Sequence, residues 1–169
     1  VLHLSEDDTT TVQVAAFAHD IGKISMSDAV LRKAGPLTDA EWEEMRRCPV
    51  TGYDILRKVP QFQRVALIVR HHHERWDGRG YPDQLAGTAI PLGARIIAVA
   101  DSIDAMMSNR SYRPAMTATV CHHEIEKNSG VMYDPQVVAA AMNCWDELVS
   151  RYTEVETPPT PYFDRLQLE

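Results

Sequence analysis

Apolar residues recur along this chain at steps of three and four rather than two, and the polar stretches between them carry helix-start chemistry. Ser5-Glu6-Asp7-Asp8 has the form of a capping box, with Asp8 where Glu or Gln is usual, and precedes Val12, Val14, Ala15, Ala16, Phe17 and Ala18. A helix is therefore expected from about Glu6 to Ile21, with Gly22 as a left-handed stop and His19 and Asp20 in its last turn. Thr38-Asp39-Ala40-Glu41 is a full capping box ahead of Trp42 and Met45, and Pro49 is expected to break or kink that span before Tyr53, Ile55 and Leu56.

Phe62, Val65, Ala66, Ile68 and Val69 repeat at helical spacing and run into His71-His72-His73-Glu74, so histidines again end a helix. Pro91 suits a first helical position, and Ala94, Ile96, Ile97, Val99, Ala100, Ile103, Ala105 and Met106 are apolar nearly all round, which predicts a central buried helix with Asp101 and Asp104 inside it. Two further helices follow, one from Thr117 to near Gly130, the other opened by Asp134-Pro135 and running through Trp145 to about Tyr152. With no alternating strand and no fixed-period repeat, the fold class is all-α.

Composition narrows the function. The 169 residues are 44% hydrophobic and 24% charged, enough for one soluble globular domain with its own core. Seventeen Lys+Arg against 24 Asp+Glu give a net charge of -7, which argues against a general DNA, RNA or anionic-membrane surface and leaves room for a small anionic ligand at a local basic site. No run of about 18 apolar residues exists to span a bilayer. Cys48, Cys121 and Cys144 are too few and too scattered for a disulfide framework or a CxxC zinc site, so a reducing, cytoplasmic setting is expected.

A start at Val1 without a secretory pattern reads as a domain cut from something longer. Thr157-Pro158-Pro159-Thr160-Pro161 cannot continue a helix, so residues 1–153 are expected to be the domain and 154–169 a tail or linker, with Leu168-Glu169 a cloning scar.

His19-Asp20, His72-His73 and Asp101 share one chemistry. Imidazole plus carboxylate suits Mn, Fe or Zn, and a carboxylate at Asp101 inside an apolar helix would cost several kcal/mol unless paired or bound to a cation. Each alone also has an ordinary structural explanation, as a helix-end histidine or a carboxylate bonded to backbone.

His19-Asp20-Ile21-Gly22-Lys23, then His72-His73-Glu74-Arg75-Trp76-Asp77-Gly78-Arg79-Gly80-Tyr81-Pro82, then Ala94 to Asp101, in that order, resemble the HD-GYP branch of the HD metal-dependent phosphohydrolases from about Leu2 to Leu148. The resemblance implies a helical bundle holding two or three divalent metal ions, iron or manganese, and hydrolysis of the bacterial second messenger cyclic di-GMP to pGpG or GMP by a metal-bridging hydroxide. It further implies metal ligation by His19, Asp20, His72, His73 and Asp101, with Asp20 bridging. Lys23, Arg110 and Arg113 match the family's basic phosphate contacts, and Gly80, Tyr81 and Pro82 its loop beside the site, linked to docking of GGDEF-type diguanylate cyclases. As bare chemistry, Gly78 to Pro82 is a tight turn with two glycines free to take positive φ. An upstream receiver or sensor domain is also implied.

Two departures stand out. Cys48 occupies the position where the family carries a metal-ligating histidine, leaving either a thiolate ligand biased away from Mn or a lost ligand with fewer metals. The family's Glu and His from a preceding helix would lie before Val1. A catalytically degenerate domain that binds cyclic di-GMP or a cyclase without turnover is therefore the alternative, and another cyclic dinucleotide or nucleotide the third reading. Among the remaining candidates, Asp104 is expected to orient a neighbouring group, and Trp76 and Tyr81 to stack or pack. His71 is expected outside the ligand set, and His3 and the pair His122-His123 on the surface.

Overall fold

The computed structural model describes residues 2–33, 35–109 and 114–153. Its helices in chain order are α1 (Glu6–Ala18), α2 (Asp28–Leu31), α3 (Asp39–Leu56), α4 (Gln63–His71), α5 (Leu92–Met107), α6 (Ala118–Lys127), α7 (Pro135–Asn143) and α8 (Trp145–Thr153), with short 3-10 turns at Ile21–Ser25, Pro60–Phe62 and Gly87–Ala89. The expected all-α class is what the chain adopts: among the described residues the only bridge-like pairing is between Ser129 and Tyr133. The expected tail at 154–169 lies outside the described residues.

Caps set the helix starts. Ser5 Oγ accepts from the Asp8 amide at 3.1 Å, and Asp8 returns the contact to the Ser5 hydroxyl at 2.7 Å rather than to its backbone, so the box is only half formed. Thr38 and Glu41 make both reciprocal bonds. Thr117 and Asp134 cap α6 and α7 as their positions predict.

Several boundaries depart from the expected ones. α1 stops at Ala18, so His19 caps it and Asp20 lies beyond it. Gly22 is absent from the positive-φ residues; it is small for another reason, because a Cβ there would sit 2.0 Å from the Cys48 carbonyl oxygen and 2.8 Å from the Gly52 nitrogen. Pro49 lies inside α3 without ending it. The buried face Cys48, Pro49, Gly52 and Leu56 packs so closely that tertiary contact overrides a proline cost of about 3 kcal/mol. Pro91 is the cap before α5 rather than its first residue. The last expected helix is two, divided at Cys144. α6 ends before Gly130, which takes φ +76° in the following turn.

α5 joins two hydrophobic cores. Ala94 and Ile97 pack with Ala15 of α1, Leu56 of α3 and Val65, Ala66 and Val69 of α4. Val99, Ile103 and Met107 pack with Cys121, Ile125, Val137, Val138, Trp145 and Val149. Its third face is not buried: Ala100 and Asp104 are exposed, and the Asp101 side chain is 36% exposed, so the desolvation expected for that carboxylate is relieved by an opening in the protein surface.

Gly22→Ala forces a Cβ into backbone rather than into a yielding side chain. The substitution is expected to lower unfolding free energy by about 1–3 kcal/mol or more, measured by denaturant titration, whereas Gly35→Ala, with nothing within 4 Å of its Cβ, is expected to stay near wild type.

Candidate functional site

The opening beside α5 is a pocket of about 770 Å³ lined at its polar end by His19, Asp20, Lys23, His73, Asp101 and Asp104, with Cys48 and Tyr81 on its walls. It draws its residues from chain segments some 80 positions apart. The 3-10 turn Ile21–Ser25, pressed onto α3 at Gly22, places Lys23 one turn beyond Asp20 and hydrogen-bonds it to that carboxylate at 2.5 Å.

The histidine rings are oriented by backbone carbonyls. His19 Nδ1 donates to Ala16 O at 2.7 Å and His72 Nδ1 to Val69 O at 2.7 Å. Protons placed there leave each Nε2 with its lone pair free for another partner. His72 is 1% exposed, and its Nε2 is buried with no hydrogen-bond partner. The His72 ring stands 5.3 Å from that of His19 and 4.0 Å from that of His73. His19 Nε2 lies 3.4 Å from Asp20 Oδ2 and 3.8 Å from Asp101 Oδ1.

Burial, reinforced by the neighbouring imidazole, holds His72 down to about 3. Burial also lowers His73 to about 4. Both rings are neutral across the physiological range. Burial alone would raise Asp20, but the hydrogen bond from Lys23 and the nearby His19 outweigh it and keep the carboxylate below its ordinary value. The Cys48 thiol is pushed up by burial and then by the Asp20 charge, so it stays protonated.

The loop after α4 is fixed independently of the site. His71, expected outside the ligand set, is buried and its Nε2 bonds Asp83 at 2.9 Å. Arg70 holds the same carboxylate with two bonds of 2.6 and 2.7 Å, lowering Asp83 to about 2. Glu74, also buried, accepts the Asp83 amide at 2.7 Å. Of the two glycines expected to take positive φ, only Gly78 does so, at +77°. Gly80 is needed for close approach, since a Cβ there would meet the Arg75 nitrogen at 2.3 Å. The Tyr81–Pro82 bond is cis, and the Tyr81 ring lies 5.0 Å from His73.

The structure thus brings together His19, Asp20, Lys23, His72, His73, Asp101, Tyr81 and Cys48. Gly80 and Pro82 lie in the adjoining loop rather than on the pocket wall. Arg110 and Arg113 lie outside the described residues. Asp104 accepts from the Tyr152 hydroxyl at 3.0 Å. Trp76 packs away from the pocket, beneath Arg95 at 5.9 Å. His122 pairs with Glu126 on the far side, while His123 and His3 are exposed. Sequence reasoning passed over Trp42, Met45, Pro36 and Leu37, which line the other end of the pocket. The three-residue step from Trp42 to Met45 to Cys48 carried that signal.

This donor set suits a borderline divalent cation, and the open Nε2 atoms fit one. As they stand, the donors approach in pairs: among the described residues no three His, Cys, Asp or Glu side chains form a closed cation site. Lys23 takes up the Asp20 oxygen nearest His19.

Comparison with known proteins places the chain in a family. An HD domain family model matches residues 1–137. The chain is 46% identical over 143 residues to the cyclic di-GMP phosphodiesterase response regulator RpfG of Xanthomonas campestris pv. campestris, covering 83% of this chain and 38% of that protein. It is 41% identical over 161 residues to a cyclic di-GMP phosphodiesterase of Thermotoga maritima, covering 94% and 44%. A 3'3'-cGAMP-specific phosphodiesterase 2 of Vibrio cholerae serotype O1 is 36% identical over 149 residues, covering 87% and 28%. The fold superposes on a crystal structure of a V. cholerae cyclic GMP-AMP phosphodiesterase with a TM-score of 0.68 at 22% identity, covering 91% of this chain and 42% of that one. The chain belongs to the HD domain family. Within it, the similarity is to phosphohydrolases of HD-GYP type, and the chain spans less than half the length of these relatives.

For metal-free protein, the depressed His72 and His73 values fix a sign. Between about 6.5, the unfolded value, and about 3 to 4, the unfolded chain binds protons that the folded chain refuses. Stability is therefore full above pH 6.5 and lost as pH falls toward 4. Melting temperatures of chelator-treated protein across pH 8 to 4 check this, and the double variant His72→Gln/His73→Gln is expected to flatten the slope.

Proposed function

We propose that this domain is a metal-dependent phosphodiesterase acting on cyclic di-GMP and releasing pGpG, GMP or both. The observation that carries the reading is the His72 Nε2, buried, unpartnered and directed by the Val69 carbonyl, beside His19, Asp20, His73 and Asp101 on one pocket. A nitrogen in that state costs stability unless a ligand claims it. The curated relatives named as cyclic di-GMP phosphodiesterases support the substrate.

In this reading His19, Asp20, His72, His73 and Asp101 hold two or three divalent ions, Fe or Mn. When bound, such ions polarise phosphoryl oxygens and lower the pKa of an attacking water. The chain's own residues do the rest. Val69 and Ala16 carbonyls hold the imidazoles in the tautomer that presents Nε2, the burial that depresses His72 and His73 keeps them unprotonated, and the Lys23 ammonium waits beside Asp20. Asp20 would be one of the groups to hold such an ion, and Lys23, paired with that carboxylate at 2.5 Å, would supply a point charge to a substrate phosphate. Arg110 and Arg113, from the resemblance, supply further phosphate contacts. Tyr81 lines one wall, Gly80 and Pro82 shape the loop that carries it, and that loop is the docking surface for a GGDEF-type cyclase. A regulatory domain upstream and a cytoplasmic setting complete the reading. Free Cys48, Cys121 and Cys144 are compatible with a reducing compartment, and no helix among the described residues is long and apolar enough to cross a membrane.

Cys48 favours a second reading, a binding domain without turnover. A thiol stands where the resemblance implies a histidine ligand, and this softer donor disfavours Mn at that position.

Anaerobic turnover of cyclic di-GMP after Fe or Mn loading, with metal per chain counted, tests both. Asp20→Ala is expected to abolish hydrolysis and lower metal content. Cys48→Ser is expected to leave metal per chain unchanged, and loss of an ion from that variant would make Cys48 a ligand. Metal bound without turnover in wild type would favour the second reading, and preferred cleavage of a mononucleotide would defeat the first.

A further inference from the structure

The same pocket has an apolar end with no role in holding ions or phosphate. Pro36, Leu37, Trp42 and Met45 line it opposite Asp101 and Asp104. Trp42 is unusual there. It is 44% exposed, whereas Met45 and Cys48, at the next three-residue steps of the same helix, pack against Met26 and Val30.

The backbone that carries the indole is fixed. Trp42 lies in the first turn of α3, where its amide donates to Thr38 O at 2.8 Å. That turn is locked by the Thr38–Glu41 capping box, and Lys33 holds the same Glu41 carboxylate at 2.5 Å. A large aromatic side chain, part-exposed on a fixed turn in the wall of that pocket, leaves apolar surface within reach of whatever enters.

We infer that Trp42, backed by Met45 and Leu37, is a stacking platform for a purine base of the bound nucleotide, on one side of the pocket whose other side takes the phosphate. This rests on the phosphodiesterase reading for the phosphate end only. A phosphate near Lys23 leaves its attached nucleoside free to reach the apolar wall. Stacking reads the face of a base and not its edge, so the platform accepts guanine and adenine alike. Curated relatives named for cyclic di-GMP and for 3'3'-cGAMP are consistent with a tolerant base site.

The test measures binding and turnover separately. Calorimetry on manganese-loaded protein uses the phosphorothioate analogue of cyclic di-GMP and, as a base-free control, ribose 5-phosphate; turnover of cyclic di-GMP is followed on the same samples. Trp42→Leu keeps apolar bulk and removes the π-face, and Trp42→Phe keeps a smaller face. Trp42→Leu is expected to weaken the dinucleotide by about tenfold or more while ribose 5-phosphate binding stays within twofold, and Trp42→Phe to recover most of the loss. Thermal melts establish that each variant is folded.

Equal dinucleotide affinity for wild type, Trp42→Leu and Trp42→Phe, or equal weakening of dinucleotide and ribose 5-phosphate, would overturn the platform, and turnover by the same wild-type sample would leave the phosphodiesterase standing. A Trp42-dependent dinucleotide affinity without turnover would uphold the platform and sink the phosphodiesterase. A wild type that neither binds nor cleaves the dinucleotide would sink both.

Discussion

The turn bearing His19, Asp20 and Lys23 rests directly on the backbone of α3, with room at Gly22 for a hydrogen and nothing larger. Everything in the pocket depends on that approach. It brings the His-Asp pair from the end of α1 beside Cys48 on α3, and α3 carries Trp42 and Met45 to the pocket's opposite rim. Gly52 extends the same close packing to α4, since a Cβ there would stand 2.9 Å from Val69 Cγ1. Val69 is also the residue whose carbonyl orients His72. One line of close packing thus links the helix that ends in the histidines to the turn that carries the carboxylate.

Electrostatics divides the work between fixed and movable groups. His72 is buried and His73 half-buried against it, and both are neutral. Asp20 and Lys23 are both nearly half exposed, at 42% and 44%, and paired through a flexible lysine. An ion pair of that exposure is worth little, typically under about 1 kcal/mol. A pair that weak leaves the Asp20 carboxylate able to change partners, whereas burial and the Val69 carbonyl hold the His72 ring in place.

Much of this was legible in the sequence, for identifiable reasons. Capping chemistry is local, so Thr38, Thr117 and Asp134 announced their helices. The His-Asp, His-His and Asp101 positions were readable because their residue types are costly to bury singly. What failed was what depends on distant backbone. Gly22 looked like a helix stop because its true constraint, the Cys48 carbonyl, lies 26 residues away. Pro49 looked like a break because the packing that carries α3 through it comes from other elements. Asp101 looked buried because composition around a helix does not reveal which face has no neighbour.

The Asp101 misreading explains why the apolar half of the pocket was missed as well. A helix whose apolar residues run nearly all round suggests enclosure on every side, and enclosure leaves no cavity to line. In the folded chain α5 serves two cores with two faces and opens the third, and the opening is wide enough that α3 forms its far wall rather than its lid. Trp42 then sits neither in a core nor on plain surface. The pocket joins imidazole and carboxylate groups from the ends of α1 and α4 and from α5 to a part-exposed indole from α3, a polar and an apolar surface on one cavity. That juxtaposition belongs to the tertiary fold, since neither α3 nor α5 alone specifies it.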